Sequence, residues 1–251
     1  AERMIAGGVL ENPKVDAIAA LHLWPELPAG TVGIRDGALT AAADGVTVEF
    51  TGSQGHAAHP HKCVDPIVTA GQFLANVQAV VSREIAPLDA AVLTFGKISG
   101  GHAGNIIPDT VTIEGTIRTL SPETREKMAA AVERFAKSTA DGMRARVSVT
   151  LRRGVPPLIP DSRLVALFAE SARDLLGADR VAALPTPSMG GEDFALYLEH
   201  VPGVFFRLGV QRPGAPFHPL HSPEFDPDES AFATGVAAMS RFAADFLARG
   251  V

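Results

Sequence analysis

The sequence predicts an α/β fold in which a β-α-β-β-α-β unit interrupts a second, discontinuous domain. Three observations carry this. Apolar residues alternate with polar ones in four separate stretches between residues 42 and 152, the period of half-buried strands. Two stretches of helical period, each opened by a capping residue and a proline, separate those strands in the required order. The flanks, residues 1–36 and 153–251, offer helices but few strands. They read as one α/β domain split around the middle unit, 37–152.

The first strand carries Val46, Val48 and Phe50, alternating with Thr47, Glu49 and Thr51. Asp65-Pro66 opens a helix whose expected apolar face is Val68, Phe73, Leu74, Val77, Val80 and Val81. Ala91, Leu93 and Phe95 mark the second strand. Val111, Ile113 and Ile117 mark the third, with Thr112, Glu114, Thr116 and Arg118 on its other side. Ser121-Pro122 caps a helix carrying Met128, Val132 and Phe135, broken at Gly142. Val147, Val149 and Leu151 close the unit. This order is the split-βαβ, ferredoxin-like pattern: a four-stranded antiparallel sheet with two helices on one face.

Outside it, residues 1–36 offer a short helix and one strand, 15–23. The other flank offers a helix at 162–176 ended by Gly177 and a short helix from Glu192. A strand near 204–208 and a final helix after Asp226-Pro227 follow. Residue 1 is Ala, and the opening residues read as helix interior without an N-cap. The expectation is a chain that begins partway through a larger protein.

Composition narrows the function classes. Of 251 residues, 46% are hydrophobic and 20% charged, which suits a globular core. The formal net charge is −6 and no Lys/Arg run occurs, arguing against non-specific nucleic-acid or anionic-membrane binding. No apolar stretch is long enough for a membrane span. The single cysteine, Cys63, forbids an internal disulfide framework and fits a reducing compartment, read as cytoplasmic.

Eight His are available for chemistry. His22 ends the apolar run of the first outer strand, and the carboxyl ends of such strands face the ligand crevice in open α/β sheets. It reads either as a metal ligand or as a hydrogen-bonded strand-end histidine. His218 and His221 lie in a proline-bracketed loop, open to either a metal or a plain surface reading. His56, His59 and His61 follow the first strand of the inserted unit. Arg118 is either a surface ion-pair partner or a guanidinium for a substrate carboxylate. Glu192 and Asp193 are expected in the first turn of a helix, favourable to its dipole. Cys63 reads as a small shielded residue.

Taken in order, Leu21-His22-Leu23-Trp24-Pro25, the stretch 55–61 with Asp65-Pro66-Ile67, and Gly104-Asn105-Ile106-Ile107-Pro108-Asp109 resemble motifs of one family. So do Gly115-Thr116-Ile117-Arg118, Gly191-Glu192-Asp193-Phe194 and Leu220-His221. The chain resembles the aminoacylase/carboxypeptidase family of dinuclear metallopeptidases. Its amidohydrolase branch, with hippurate hydrolase-like and N-acyl-amino-acid amidohydrolase enzymes, is the nearest match.

The resemblance implies part of a catalytic α/β domain that binds two divalent metal ions, zinc first, with manganese, cobalt or nickel as alternatives. The inserted ferredoxin-like unit becomes a lid that dimerises the protein. His22 and His221 are implied metal ligands. His56 is the implied donor to the oxyanion, a contribution of about 3–4 kcal/mol in known cases. Asn105 and Arg118 are implied substrate binders. The family's Cys-Gly-His-Asp motif and acidic Glu-Glu pair are not among the 251 residues. The expected activity is therefore amide hydrolysis of N-acyl amino acids by the complete enzyme, with the 251 residues alone inactive. Two other readings stay open: a truncated, non-catalytic dimerising or carboxylate-binding module, and a dipeptidase or carboxypeptidase of the same superfamily.

Overall fold

A computed structural model describes residues 1–249. In chain order the elements are α1 (Glu2–Ala6), β1 (Ile18–Pro28), β2 (Val32–Ile34), β3 (Ala42–Thr51), β4 (Gly55–His56) and α2 (Pro66–Asn76). There follow β5 (Ala91–Gly100), β6 (Ile106–Ile107), β7 (Thr110–Thr119), α3 (Pro122–Met143) and β8 (Arg146–Arg152). The chain closes with α4 (Ser162–Leu176), β9 (Val181–Ala183), α5 (Ala195–Leu198), β10 (Gly203–Gln211) and α6 (Ala231–Arg249). The fold is α/β, as the sequence predicts. Among the described residues no helix is long and apolar enough to cross a membrane.

The elements form two compact units. One comprises Ala41–Pro157 with Met189–Gly191; the other comprises Ala1–Thr40, Leu158–Ser188 and the residues from Glu192 onward.

In the middle unit the sheet order is β5-β7-β3-β8, antiparallel throughout, the ferredoxin-like arrangement. Val46, Val48 and Phe50 are buried on one face of β3, with Ile113 and Ile117 of β7 beside them. Phe73 of α2 and Met128 and Val132 of α3 close that core. The Asp65 carboxylate accepts hydrogen bonds from the Ile67 and Val68 amides, at 2.8 and 3.2 Å, and so starts α2. Ser121 Oγ does the same for Thr124 N at 3.1 Å at the start of α3.

The helix beginning at Pro66 departs from expectation in two ways. It stops at Asn76, and Val80–Glu84 forms a separate π-helical turn. Val68 is half-exposed, because the buried stripe runs through Thr69, Ala70, Phe73 and Val77 instead. An amide-capped first turn sets the helix phase, and that phase turns Val68 outward.

The second unit is built on a sheet of order β1-β10-β2-β9. β10 runs parallel to β1 and antiparallel to β2, and β2 runs parallel to β9. Residues 203–210 of β10 are all buried, the continuous apolar run of a strand covered on both faces. One face packs on α4 and α6, where Phe168 stacks on Phe206 with centroids 4.3 Å apart. On the other face Phe205 meets Phe194, Leu39 and Leu158.

β1 runs past the expected strand end to Pro28, so His22 is an interior residue of its strand rather than the last. The added stretch contains two prolines, Pro25 and Pro28. They fall where the β1–β10 register shifts, between Trp24 and Pro28, the kind of irregularity at which a strand admits proline. β2 and β9, three residues each, are additions to the sheet that no period reveals. The helix expected from Glu192 begins at Ala195. Glu192 precedes it, and its Oε1 accepts the Phe194 amide at 3.1 Å.

Candidate functional site

In the β1–β10 unit, side-chain alternation puts His22 and Trp24 on the face that carries Ile18 and Ala20, away from α4 and α6. The parallel register sets His22 opposite Arg207 of β10. His22 Nδ1 lies 2.7 Å from the Leu23 carbonyl. A carbonyl only accepts, so Nδ1 carries a proton, and in the neutral ring Nε2 keeps its lone pair. That is the tautomer an imidazole needs in order to ligate a cation through Nε2. The Trp24 ring meets the His22 ring edge-on, centroids 6.1 Å apart at 77°.

His221 lies in the loop before α6, exposed, with φ of 67°. This left-handed conformation is costly for a residue with a Cβ, by roughly 1–2 kcal/mol, and such strain collects where a side chain must be aimed. Its neighbour His218 is engaged by Glu224, Nδ1 to Oε2 at 3.3 Å. Among the described residues no group of three or more His, Cys, Asp or Glu side chains stands ready to hold a metal ion. His22 and His221 each offer an imidazole of the kind that ligates cations, and two imidazoles alone do not make a metal site.

In the ferredoxin-like unit, β4 and β6 form a two-stranded ribbon with His56 opposite Ile106. The Ala57 amide donates to the Asn105 carbonyl at 3.1 Å, so the ribbon brings the chain at His56 next to Asn105. His56 Nδ1 accepts the Ala58 amide at 3.1 Å. Its tautomer is thus the reverse of that at His22: in the neutral ring Nε2 bears the hydrogen. An exposed N–H donor suits a developing oxyanion.

Arg118 stands on the four-stranded sheet, opposite Ala43 of β3 and Val92 of β5, on the face away from the helices. Gly191 lies against it, since a Cβ added there would sit 3.5 Å from Arg118 Nη1 and 3.0 Å from Ala43 Cβ. His59 and His61 continue a row of rings from His56, with centroids 5.9 and 6.1 Å apart. Cys63 is buried, its thiol 3.7 Å from the His59 carbonyl.

Two charged residues escape sequence reasoning. Asp44 is 3% exposed and held by Arg125, Arg153 and the Gly154 amide. Arg207 is 5% exposed, its guanidinium carbon 3.5 Å above the Trp24 ring. Burial pushes the Arg207 guanidinium down to about 10. The signal in each case was a lone charge inside a strand that otherwise reads as apolar.

The chain combines an α/β unit with an inserted ferredoxin-like unit, and such a scaffold by itself leaves the chemistry open. The chain belongs to peptidase family M20/M25/M40, whose profile matches residues 1–245. A probable hydrolase of Synechocystis is 42% identical over 238 residues, covering 94% of this chain and 60% of that protein. The N-acetyl-L-cysteine deacetylase of Bacillus subtilis is 39% identical over 231 residues, 92% of this chain and 53% of that enzyme. The solved structure of the Bacillus subtilis YXEP protein, a dinuclear metal-binding peptidase of the M20 family, superposes with a TM-score of 0.83 at 29% identity. It covers 99% of this chain and 61% of that one. The chain thus spans between half and two thirds of the length of these relatives.

Proposed function

We propose that this chain is part of a metal-dependent amidohydrolase that removes the acyl group from N-acyl amino acids. The observation that carries the reading is the His22 hydrogen bond to the Leu23 carbonyl, which leaves Nε2 as a ligand. Relatives named as deacetylases of N-acetyl-L-cysteine and N-acetyldiaminopimelate support the substrate class, since both act on an acylated amino acid.

In this reading His22 and His221 hold divalent ions, two in all and zinc by preference, together with ligands from outside the 251 residues. When bound, such ions lower the pKa of a coordinated water and supply the nucleophile near neutral pH. Arg118 offers a fork of N–H donors to the carboxylate of the amino-acid part. Asn105 positions the same substrate, and His56 donates from Nε2 to the oxygen that gains charge. A carboxylate base must also pass a proton to the leaving amine, and no residue described here takes that part. The 251 residues alone are therefore proposed to be inactive. A homodimer through the exposed edge of the ferredoxin-like sheet, and a cytoplasmic setting, complete the proposal.

The test is turnover of N-acetyl and longer N-acyl amino acids, with dipeptides as the comparison, by the complete metal-loaded enzyme. Hydrolysis of the acyl amino acids, lost on chelation and restored by zinc or manganese, is the expected result. Activity that survives chelation, or is confined to dipeptides, would overturn it. His22→Ala should lower the bound metal measured by elemental analysis.

A further inference from the structure

The outer face of the ferredoxin-like sheet carries two arginines that no carboxylate of that face answers. Val46, Val48 and Phe50 of β3 point into the core, so Ala43, Gly45, Thr47 and Glu49 point outward. Arg118 of β7 stands opposite Ala43, and Arg152 of β8 stands opposite Gly45. Both therefore lie on this outer face, one on each side of β3 and both within the one unit.

Both side chains lean over β3. A Cβ added at Gly45 would sit 3.5 Å from Arg152 Nε and 3.6 Å from its Nη2. The Arg152 guanidinium thus lies across Gly45 instead of out over its own edge strand. Arg118 Nη1 lies 3.5 Å from the corresponding point on Gly191, which is itself 3.0 Å from Ala43 Cβ. That brings the Arg118 guanidinium towards Ala43. Ala43 and Gly45 are successive outward positions, about 7 Å apart, and one bears a methyl group and the other no side chain. Nothing from β3 itself stands between the two cations.

Like charges set this close repel unless an anion joins them. Among the described residues neither Arg118 nor Arg152 has an ion-pair partner. The carboxylates of this face are engaged elsewhere. Glu114 is paired with Lys97 at 2.5 Å, and Glu49, two outward positions beyond Gly45, accepts from Thr112 at 3.5 Å. Arg152 is exposed and so open to a ligand.

We propose that Arg152 is a specificity-determining residue of the amidohydrolase reaction. It receives a second carboxylate, carried on the side chain of the amino-acid part, while Arg118 holds the α-carboxylate. This rests on the role proposed above for Arg118. A glutamate-like group joins its two carboxylates by a short aliphatic link, which lets one molecule meet both guanidinium groups. A neutral side chain of the same shape leaves Arg152 in water, so the discrimination is by charge.

The test uses the complete enzyme, stripped of metal by chelation so that no turnover intrudes. Titration calorimetry compares N-acetylglutamate with its neutral isostere N-acetylglutamine. The expected result is tighter binding of N-acetylglutamate, by about fivefold or more. Arg152→Gln should erase that preference by weakening N-acetylglutamate and leaving N-acetylglutamine unchanged. Gly45→Val, which fills the ground that Arg152 lies across, should do the same with the arginine still present. A wild-type enzyme that binds neither compound or prefers neither, or a preference that survives Arg152→Gln, would overturn the proposal. N-succinylglutamine carries its second carboxylate on the acyl group. If it binds more tightly than N-acetylglutamate, and Arg152→Gln removes that advantage, the assignment to the amino-acid part falls. Arg118→Gln should weaken both acetyl compounds alike; affinities equal to wild type refute the role of Arg118 without touching the glutamate-to-glutamine ratio. Should Arg152→Gln fail to fold by circular dichroism, Gly45→Val decides.

Discussion

Arg125 grips Asp44 through both carboxylate oxygens, Nε to Oδ2 at 2.7 Å and Nη2 to Oδ1 at 2.6 Å. The same carboxylate accepts the Gly154 amide at 2.9 Å and Arg153 Nη1 at 3.1 Å. One buried side chain thereby ties β3 to α3 and to the segment that leaves β8. Removing its charge takes the carboxylate partner from Arg125, 13% exposed, which keeps the Gly154 carbonyl, and from Arg153, which keeps Glu126. Asp44→Asn should cost about 3–5 kcal/mol, the range for breaking one side of a buried pair. Urea unfolding followed by circular dichroism checks this, as a lower midpoint at unchanged slope.

The same carboxylate predicts an acid limb. Burial by itself would raise the Asp44 carboxyl, but hydrogen bonds from Arg125, Gly154 and Arg153 outweigh it and hold the group below its ordinary 3.8. A carboxyl whose folded pKa is depressed contributes its stability above the unfolded value and loses it as pH falls through the folded one. Stability should thus decline from near pH 4 downward, and Asp44→Asn should flatten that decline. Unfolding midpoints measured between about pH 6 and about pH 2 test it; parallel curves for both proteins would remove Asp44 from the account.

Gly115 of β7 has no room for a side chain, since an added Cβ would fall 2.4 Å from the Thr94 carbonyl and 2.7 Å from the Phe95 ring. The β5–β7 register slips at this point, between Phe95 and Lys97. Backbone cannot yield as a flexible side-chain tip can, so Gly115→Ala should cost roughly 1–3 kcal/mol. A thermal melt will show this as a drop of several degrees, about 2–8 °C.

In the complete enzyme, Arg118→Ala should act mainly on substrate binding. If the guanidinium holds a carboxylate equally in the ground and transition states, KM rises by about tenfold or more while kcat changes less. Steady-state kinetics on an N-acetyl amino acid, and on its carboxamide analogue, separate the cases. An unchanged specificity constant for the acid would rule the contact out.

The middle unit was readable because its strands are long and its alternation strict. Val46, Val48 and Phe50 are all buried, as period two demands. Asp65 and Ser121 announced their helices by chemistry that acts locally. The outer sheet was less readable. Three-residue strands such as Val32–Ile34 and Val181–Ala183 are too short to show a period and exist because β10 and β2 offer them partners. The strand's extension to Pro28 lay beyond the expected 15–23 because its register shifts after Trp24 and an irregular stretch has no period to read. The tautomers of His22 and His56 depend on a carbonyl and an amide in the fold, which no spacing encodes. Arg207 sits inside Phe205-Phe206-Arg207-Leu208, where a lone charge is easily passed over as a strand-end residue. Its meaning comes from the ring of Trp24, far away in sequence.

Pro25 and Pro28 bear on the outer rim of β1 as well as on its length. A polypeptide laid alongside this border would meet no amide hydrogen at positions 25 and 28, while Glu26 and Leu27 between them keep theirs. Any ladder formed along the second half of β1 is thereby thinned at both proline positions.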